Sequence, residues 1–288
     1  MRLPTTIGNL WFKANNSGHV HEARLLRLLE ARSNGCTPEI LAADTDRGWF
    51  LSLDAGASLE SVLSRDLDLR HWESVLGEYG ELQRQSSGFA GEIIACGVPD
   101  KRPEAMPEIL DGLLSRPASP TGTDGALSQD EYDALRALRL AFRRQSARLS
   151  EIGILPTIQH DDLTPDNILH TRKGPVFIDW ADACIAHPFG SLIYPIRHVM
   201  EHFGVSLDSP QVDRIRQSYF EPWKANFDLS SLRESEELAV RLAIVGRADS
   251  WRKALVGLNR SEMDPYFAHA EARWLRKLLA PPTRVAPQ

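Results

Sequence analysis

Gln159-His160-Asp161-Asp162-Leu163-Thr164-Pro165-Asp166-Asn167-Ile168-Leu169-His170, followed by Val176-Phe177-Ile178-Asp179-Trp180, is the stretch on which the fold turns. It spells H-x-D-L-x-x-x-N and then a short apolar run that ends in Asp. Ile168–His170 and Val176–Asp179 flank Arg172-Lys173-Gly174, so the pair reads as a β-hairpin with a Gly turn. Two loops, each next to an apolar strand, thus carry two carboxylates and an amide. Asp and Asn are also common turn residues, because their side chains bond nearby backbone groups. A bare H-x-D would be read that way. The full string, with its fixed Asn spacing and a second strand ending in Ile-Asp-Trp, is far more specific. Pro165 stiffens the loop by fixing φ. Asp161 and Asp166 are expected to face solvent or cap the turn.

The layout resembles the part of a kinase that holds the attacking hydroxyl and the magnesium ions. By position, Asp162 is the base or hydroxyl-orienting group, and His160 supports the loop by packing and hydrogen bonding. Asn167 and Asp179 are the metal ligands; Mg²⁺ fills most of its octahedron with phosphate and water, so two protein ligands suffice. The same His160, Asp162, Leu163, Asn167, Ile168, Asp179 and Trp180, with Ala183, His187-Pro188-Phe189 and Leu192 downstream, resemble the aminoglycoside phosphotransferase family, a group of kinase-like small-molecule phosphotransferases related to choline and homoserine kinases. The resemblance implies an α+β, protein-kinase-like two-lobe fold. It also implies transfer of the γ-phosphate of ATP (or GTP), with Mg, to a hydroxyl of a small molecule. Ser191 stands where the family often has Asp, a departure that touches a structural cap. Asp179-Trp180 in place of Asp-Phe-Gly implies no long activation loop.

Upstream, Leu10-Trp11-Phe12-Lys13-Ala14 reads as a strand bearing one Lys. A helix from His21 to Ala31 follows, with an apolar stripe at Leu25, Leu26, Leu28 and Leu29. A lone strand Lys and helix Glu are ordinary solvated charges. In this order ahead of the catalytic loop, Lys13 resembles the phosphate-binding Lys and Glu22 its ion-pair partner. Thr37–Ala42 and Trp49–Leu53 read as strands joined by a turn at Asp44–Gly48. Leu53-Asp54-Ala55-Gly56 then forms the expected hinge, where a nucleotide base bonds to backbone; a plain loop is the alternative. Only nine residues precede the Lys strand, which at ~3.3 Å per residue make one strand at most. The N-terminal lobe is therefore expected to be truncated, without a Gly-rich loop and with an exposed edge at Leu10–Ala14. A non-catalytic, pseudokinase-type binding protein follows as the alternative function.

Of 288 residues, 42% are hydrophobic and 25% charged, which suits a globular core. A net charge of −6 without a Lys/Arg-rich run gives no support for nucleic-acid binding. No apolar run is long enough for a membrane, and no apolar leader core is present. Cys36, Cys96 and Cys184 lack metal spacing and suggest reduced, buried thiols in a cytoplasmic protein. The organisation expected is a lobe at 1–53, a helical lobe at 54–280 and a Pro-rich tail at 281–288. Within the second lobe, Leu59–Leu63, Trp72–Gln85, Ser128 to about Ser150, Leu192–Glu201, Val212–Phe220, Glu234–Leu255 and Met263–Leu279 read as helices, and Arg116–Leu127 as a loop. Ser128 and Glu131 form a capping-box pattern. Carboxylates at Asp182, Glu201, Asp249, Glu262 and Asp264 could receive a polycationic acceptor, although acidic helix surfaces are routine. His198 and His202 have metal-ligand spacing without an evident third ligand. Trp223, Trp251 and Trp274 read as core.

Overall fold

The computed structural model describes residues 1–6, 8–33, 35–115 and 125–280. Strand β1 (Arg2–Thr5) and strand β2 (Gly8–Ala14) form a tight hairpin, followed by helix α1 (His21–Arg32), β3 (Ile40–Asp44) and β4 (Trp49–Leu53). These strands make an antiparallel sheet in the order β1-β2-β4-β3. Leu10 therefore has a partner on each side, Leu3 in β1 and Leu53 in β4. This corrects the expected edge at Leu10–Ala14. The edge lies one strand further out, where Pro4 lacks a donor and blunts further pairing. Helix α1 buries Ala23, Leu25, Leu26 and Leu29, as its apolar stripe demands. Gly48 closes the β3–β4 turn at φ +71°; a Cβ there would meet Val20 Cα at 2.5 Å, so only Gly fits.

After the Leu53–Gly56 linker come β5 (Ala57–Ser58) and α2 (Leu59–Leu63), with Ser58 as N-cap, its hydroxyl accepting the Ser61 amide. Helices α3 (Leu69–Ser86), α4 (Ala90–Ala95), α5 (Met106–Leu114) and α6 (Gln129–Ile152) follow. Both halves of the Ser128–Glu131 capping box are made. Of the expected Arg116–Leu127 loop, 116–124 lie outside the described residues, as does the tail at 281–288. The site hairpin is then built from β6 (Thr157–Gln159), β7 (Ile168–Thr171), β8 (Gly174–Phe177) and β9 (Cys184–Ala186). β6 pairs with β9, while β5, β7 and β8 form a second small sheet.

Helices α7 (Ile193–Phe203), α8 (Pro210–Phe220), α9 (Leu229–Ala254), α10 (Pro265–Ala268) and α11 (Ala270–Arg276) complete the chain. The expected single helix at Met263–Leu279 is broken. Asp264 caps a new start at Pro265, and His269 leaves helical dihedrals at φ −111°, ψ 18°. The core joins Trp72 and Tyr79 of α3 to Tyr219 and Phe220 of α8 and to Phe189, all fully buried. Each such ring contributes roughly 1.5–3 kcal/mol of burial. Trp223 and Trp274 are buried too, and Trp251 half-buried. Ser191 lies in this core, accepting from Gln83 Nε2 at 3.1 Å and 3.3 Å from the Tyr79 hydroxyl. Cys184 is buried, its thiol pushed up to about 12 by desolvation, whereas Cys36 and Cys96 are only half-buried. Among the described residues no helix is long and apolar enough to cross a membrane. Helix α9 is unusual, because Arg247, Asp249 and Ser250 are buried on it. Arg247 and Ser250 reach the loop at Asp161 and Asp162.

Candidate active site

Two loops meet at one point because the β6–β9 and β7–β8 pairings return the chain to it. Tyr79 accepts the backbone N–H of His160 at 2.9 Å, anchoring the first loop to α3. The His160 ring is fully buried, 4.7 Å from the Trp180 ring, and its Nε2 lies 2.7 Å from the Ile178 carbonyl. The Ile178 N–H in turn donates to the Asn167 carbonyl at 3.0 Å. His160 thus ties the loop bearing Asp162 to the strand end bearing Asp179; it is a positioning group.

Asp162 is half-buried. Asn167 Nδ2 donates to its backbone oxygen at 2.9 Å and to Oδ2 at 3.2 Å. Burial raises the Asp162 carboxyl above the ordinary carboxylate range; Arg247 and His160 oppose this, and Asp182 and Asp179 add to it. Asn167 spends its amide nitrogen on Asp162, which leaves its Oδ1 for a cation. Asp179 sits in the left-handed region at φ 62°, with its side chain half-exposed. Short polar Asp tolerates that conformation better than most residues. An amide oxygen and a carboxylate on adjoining loops are hard oxygen donors, the type Mg²⁺ takes.

Lys13 reaches this point from β2. Its Nζ lies 2.5 Å from Asp179 Oδ1 and 2.6 Å from Glu22 Oε2. Burial works against the ammonium, but Glu22 and Asp179 outweigh it and raise its pKa. Glu22 is fully buried, and desolvation pushes its carboxyl up while Lys13 pulls it down. Beside the pair opens a cleft of about 300 Å³. Leu53, Asp54, Ala55 and Gly56 all line it, with Phe50, Leu26, Leu169 and Ile178 as apolar walls. Leu53 N–H donates to Glu39, Asp54 N–H to Asn9 and Gly56 N–H to the Asp54 side chain.

Asp166 is exposed as expected, but Asp161 is not. It is 4% exposed, at φ 63°. Its Oδ2 accepts from Lys101 Nζ and from Ser250 Oγ, both at 3.0 Å, and its Oδ1 from Gln159 at 2.9 Å. Lys101, equally buried, also donates to the Gly246 carbonyl at 2.9 Å. Buried charge is tolerated only when paired and hydrogen-bonded, as Asp161 is here. Lys101 and Arg247 were missed in the sequence, since neither lies in a motif. Arg247 Nη1 is 2.9 Å from Asp182 Oδ2, and Nη2 is 3.7 Å from Asp162 Oδ1. Asp182 is held well below the ordinary range, by His19 and Arg247 against its own burial.

The His198–His202 pair does gain a third neighbour, Glu60. Trp72 Nε1–H donates to His198 Nδ1 at 3.1 Å, however. That places the neutral ring's proton on Nε2, which lies 3.2 Å from Glu60. The trio is a hydrogen-bonded cluster, because the nitrogen a metal would need carries hydrogen.

A comparison with curated protein sequences gives no match. Solved structures share the fold. An ethanolamine kinase from Plasmodium vivax is 12% identical, covering 96% of this chain and 77% of its own, with a TM-score of 0.59. A choline/ethanolamine kinase family protein from Mesorhizobium loti is 14% identical, with 96% and 84% covered and a TM-score of 0.57. A macrolide 2′-phosphotransferase from Brachybacterium faecium is 15% identical, with 95% and 87% covered and a TM-score of 0.53. At such identity these likenesses establish the two-lobe kinase-like fold alone. The model of the phosphotransferase enzyme family (APH) matches residues 8–234, most of the chain, and the protein belongs to that family.

Proposed function

We propose that the chain transfers the γ-phosphate of ATP or GTP, with Mg²⁺, to the hydroxyl of a small molecule. The observation that carries this reading is that Lys13, paired with Glu22, meets Asp179 in the wall of one apolar cleft, while the loop on which Asn167 bonds Asp162 is tied to the strand end bearing Asp179 through Ile178. Residues 1–53 would form the nucleotide-covering lobe and 54–280 the helical lobe. The base would lie between Phe50, Leu26 and Leu169. Among the described residues the Ala55 amide is the hinge N–H that donates to no protein group, so it is the donor on offer to a base. Asn167 Oδ1 and Asp179 would hold Mg²⁺, which neutralises charge on the phosphates. Lys13 would turn to phosphate oxygens while Glu22 keeps it in place. Asp162 would accept the hydrogen bond of the acceptor hydroxyl and take its proton. The family match favours an enzyme over the non-catalytic alternative.

A nucleotide-dependent thermal shift tests the reading. ATP with Mg²⁺ at about 100 times Kd stabilises a binder by ~2.7 kcal/mol, on the order of 5 °C in Tm. The shift is expected to shrink when EDTA removes the metal. No shift with either ATP or GTP would sink the proposal. Lys13→Met is expected to lower kcat/KM for the nucleotide by about 10²–10³, the loss typical of a removed electrostatic donor. Unchanged kinetics in that variant would remove Lys13 from the site.

A further inference from the structure

The C-terminal side of Asp162 is built from cations and rings. The Arg247 guanidinium packs beside both Tyr194 of α7 and Trp274 of α11, 5.6 and 5.9 Å from their ring centres, and the two rings meet edge to face at 6.2 Å. Beyond it, Lys277 Nζ stands 5.4 Å from the Trp274 ring. Arg273 lies over the Tyr266 ring at 3.5 Å. Arg197 of α7 pairs with Glu201 at 2.8 Å. The neighbouring Arg273, and less strongly Arg197, draw the Tyr266 hydroxyl's pKa below the ordinary value. Burial lowers the Lys277 ammonium, and the neighbouring Arg197 and Arg273 lower it further. Among the described residues, neither Arg273 nor Lys277 has a carboxylate within 4.0 Å, as the ion pairs of this region show. The Nε atoms of Arg247 and Arg273 are buried without a partner.

The carboxylates that might have received a polycation are engaged elsewhere. Asp182 holds Arg247, Glu201 holds Arg197, and Asp249 holds Lys253 at 2.7 Å. Glu262 accepts from Asn259, and Asp264 caps α10. Among the described residues, Arg197, Arg273 and Lys277 therefore share one paired carboxylate, Glu201, on the side of Trp274 away from the Asp162–Arg247 contact, in a chain whose net charge is −6. A cationic acceptor would meet like charge, whereas an oxyanion would supply the missing partner.

We propose that the acceptor is an anion, a hydroxy compound whose carboxylate or phosphate is received by Lys277 and Arg273 while its hydroxyl reaches Asp162 alongside Arg247. This rests on the phosphotransferase reading above. In the step itself the acceptor oxygen bonds to the γ-phosphorus of ATP. The bond from that phosphorus to the bridging oxygen breaks, its electron pair leaves on ADP, and the hydroxyl proton passes to Asp162.

Titration calorimetry of the full chain tests it, with a non-hydrolysable ATP analogue and Mg²⁺ filling the nucleotide cleft. The probes are gluconate, glycerol 3-phosphate, choline and kanamycin. Both oxyanions are expected to bind, more tightly than either cation, and the stronger of the two identifies carboxylate or phosphate as the recognised group. Lys277→Met and Arg273→Gln should each weaken oxyanion binding at least tenfold, and Lys277→Arg should retain it. The analogue-induced thermal shift, read at the other end of the cleft, reports whether each variant is folded. Tighter binding of choline or kanamycin, no oxyanion binding, or oxyanion binding indifferent to both substitutions overturns the proposal. Oxyanion binding in a chain without any nucleotide shift overturns the phosphotransferase reading, and the acceptor role with it.

Discussion

Asp162→Asn is expected to reduce Mg²⁺-dependent phosphoryl transfer by about 10²–10⁴, the usual contribution of a positioned general base. Asn has the size of Asp and keeps one acceptor oxygen. It cannot take the hydroxyl proton, and it loses the negative charge that faces Arg247 at 3.7 Å. Folding should survive, because the loop is held by contacts that do not use the carboxylate. The Asn167 amide bonds the Asp162 backbone oxygen at 2.9 Å, and His160 clasps Ile178. The decisive measurement is ADP release beside the nucleotide-dependent thermal shift on one preparation. A lost turnover with a retained shift supports the assigned role. A variant as active as the parent removes Asp162 from the chemistry.

Lys101→Met should produce the largest loss of stability. It leaves the Asp161 carboxylate buried with Ser250 and Gln159 as neutral partners and Arg247 at 3.7 Å. Breaking a buried pair by removing one partner costs roughly 3–5 kcal/mol, which at about 2–4 °C per kcal/mol is on the order of 10 °C in Tm. Adding Asp161→Asn should recover part of this, since no lone charge remains and Asn also tolerates φ near +60°. A double-mutant cycle by chemical denaturation gives the coupling directly. Additive losses would mean that the pair is not coupled. Burial alone would lower the Lys101 ammonium, but Asp161 outweighs it and raises the pKa above 10.5. Titration of Lys101 therefore takes nothing from the pair below about 10.5, and that contribution fades as pH climbs toward the raised folded value. The penalty in the Met variant should accordingly be flat between pH 6 and 9.

Much of the site was legible because it is local. His160, Asp162, Asn167 and Asp179 fall within one strand-loop-hairpin unit, whose spacing is imposed by a short turn and two apolar strands. Lys13 and Glu22 were legible for the same reason, as one strand and the first turn of the next helix. The hinge at Leu53–Gly56 was readable only as a break, because backbone recognition leaves little mark on side chains. Asp161 was misread, since a polar residue in a turn faces solvent unless something charged is brought to it.

That something comes from far along the chain. Lys101 is 60 residues from Asp161, and Ser250 is 89. By itself the sequence determined most of the elements, the two adjoining loops that carry Asp162, Asn167 and Asp179, and the order of Lys, Glu, Asp and Asn. Those follow from turn chemistry and apolar periodicity, which act over a few residues. Only the tertiary structure decided which charges are buried and with whom. It set Lys101 on Asp161, Arg247 between Asp162 and Asp182, and Arg273 and Lys277 against the rings of Tyr266 and Trp274. The physical reason is desolvation: a charge removed from water must find its partner across the fold, and no local pattern records where that partner will come from.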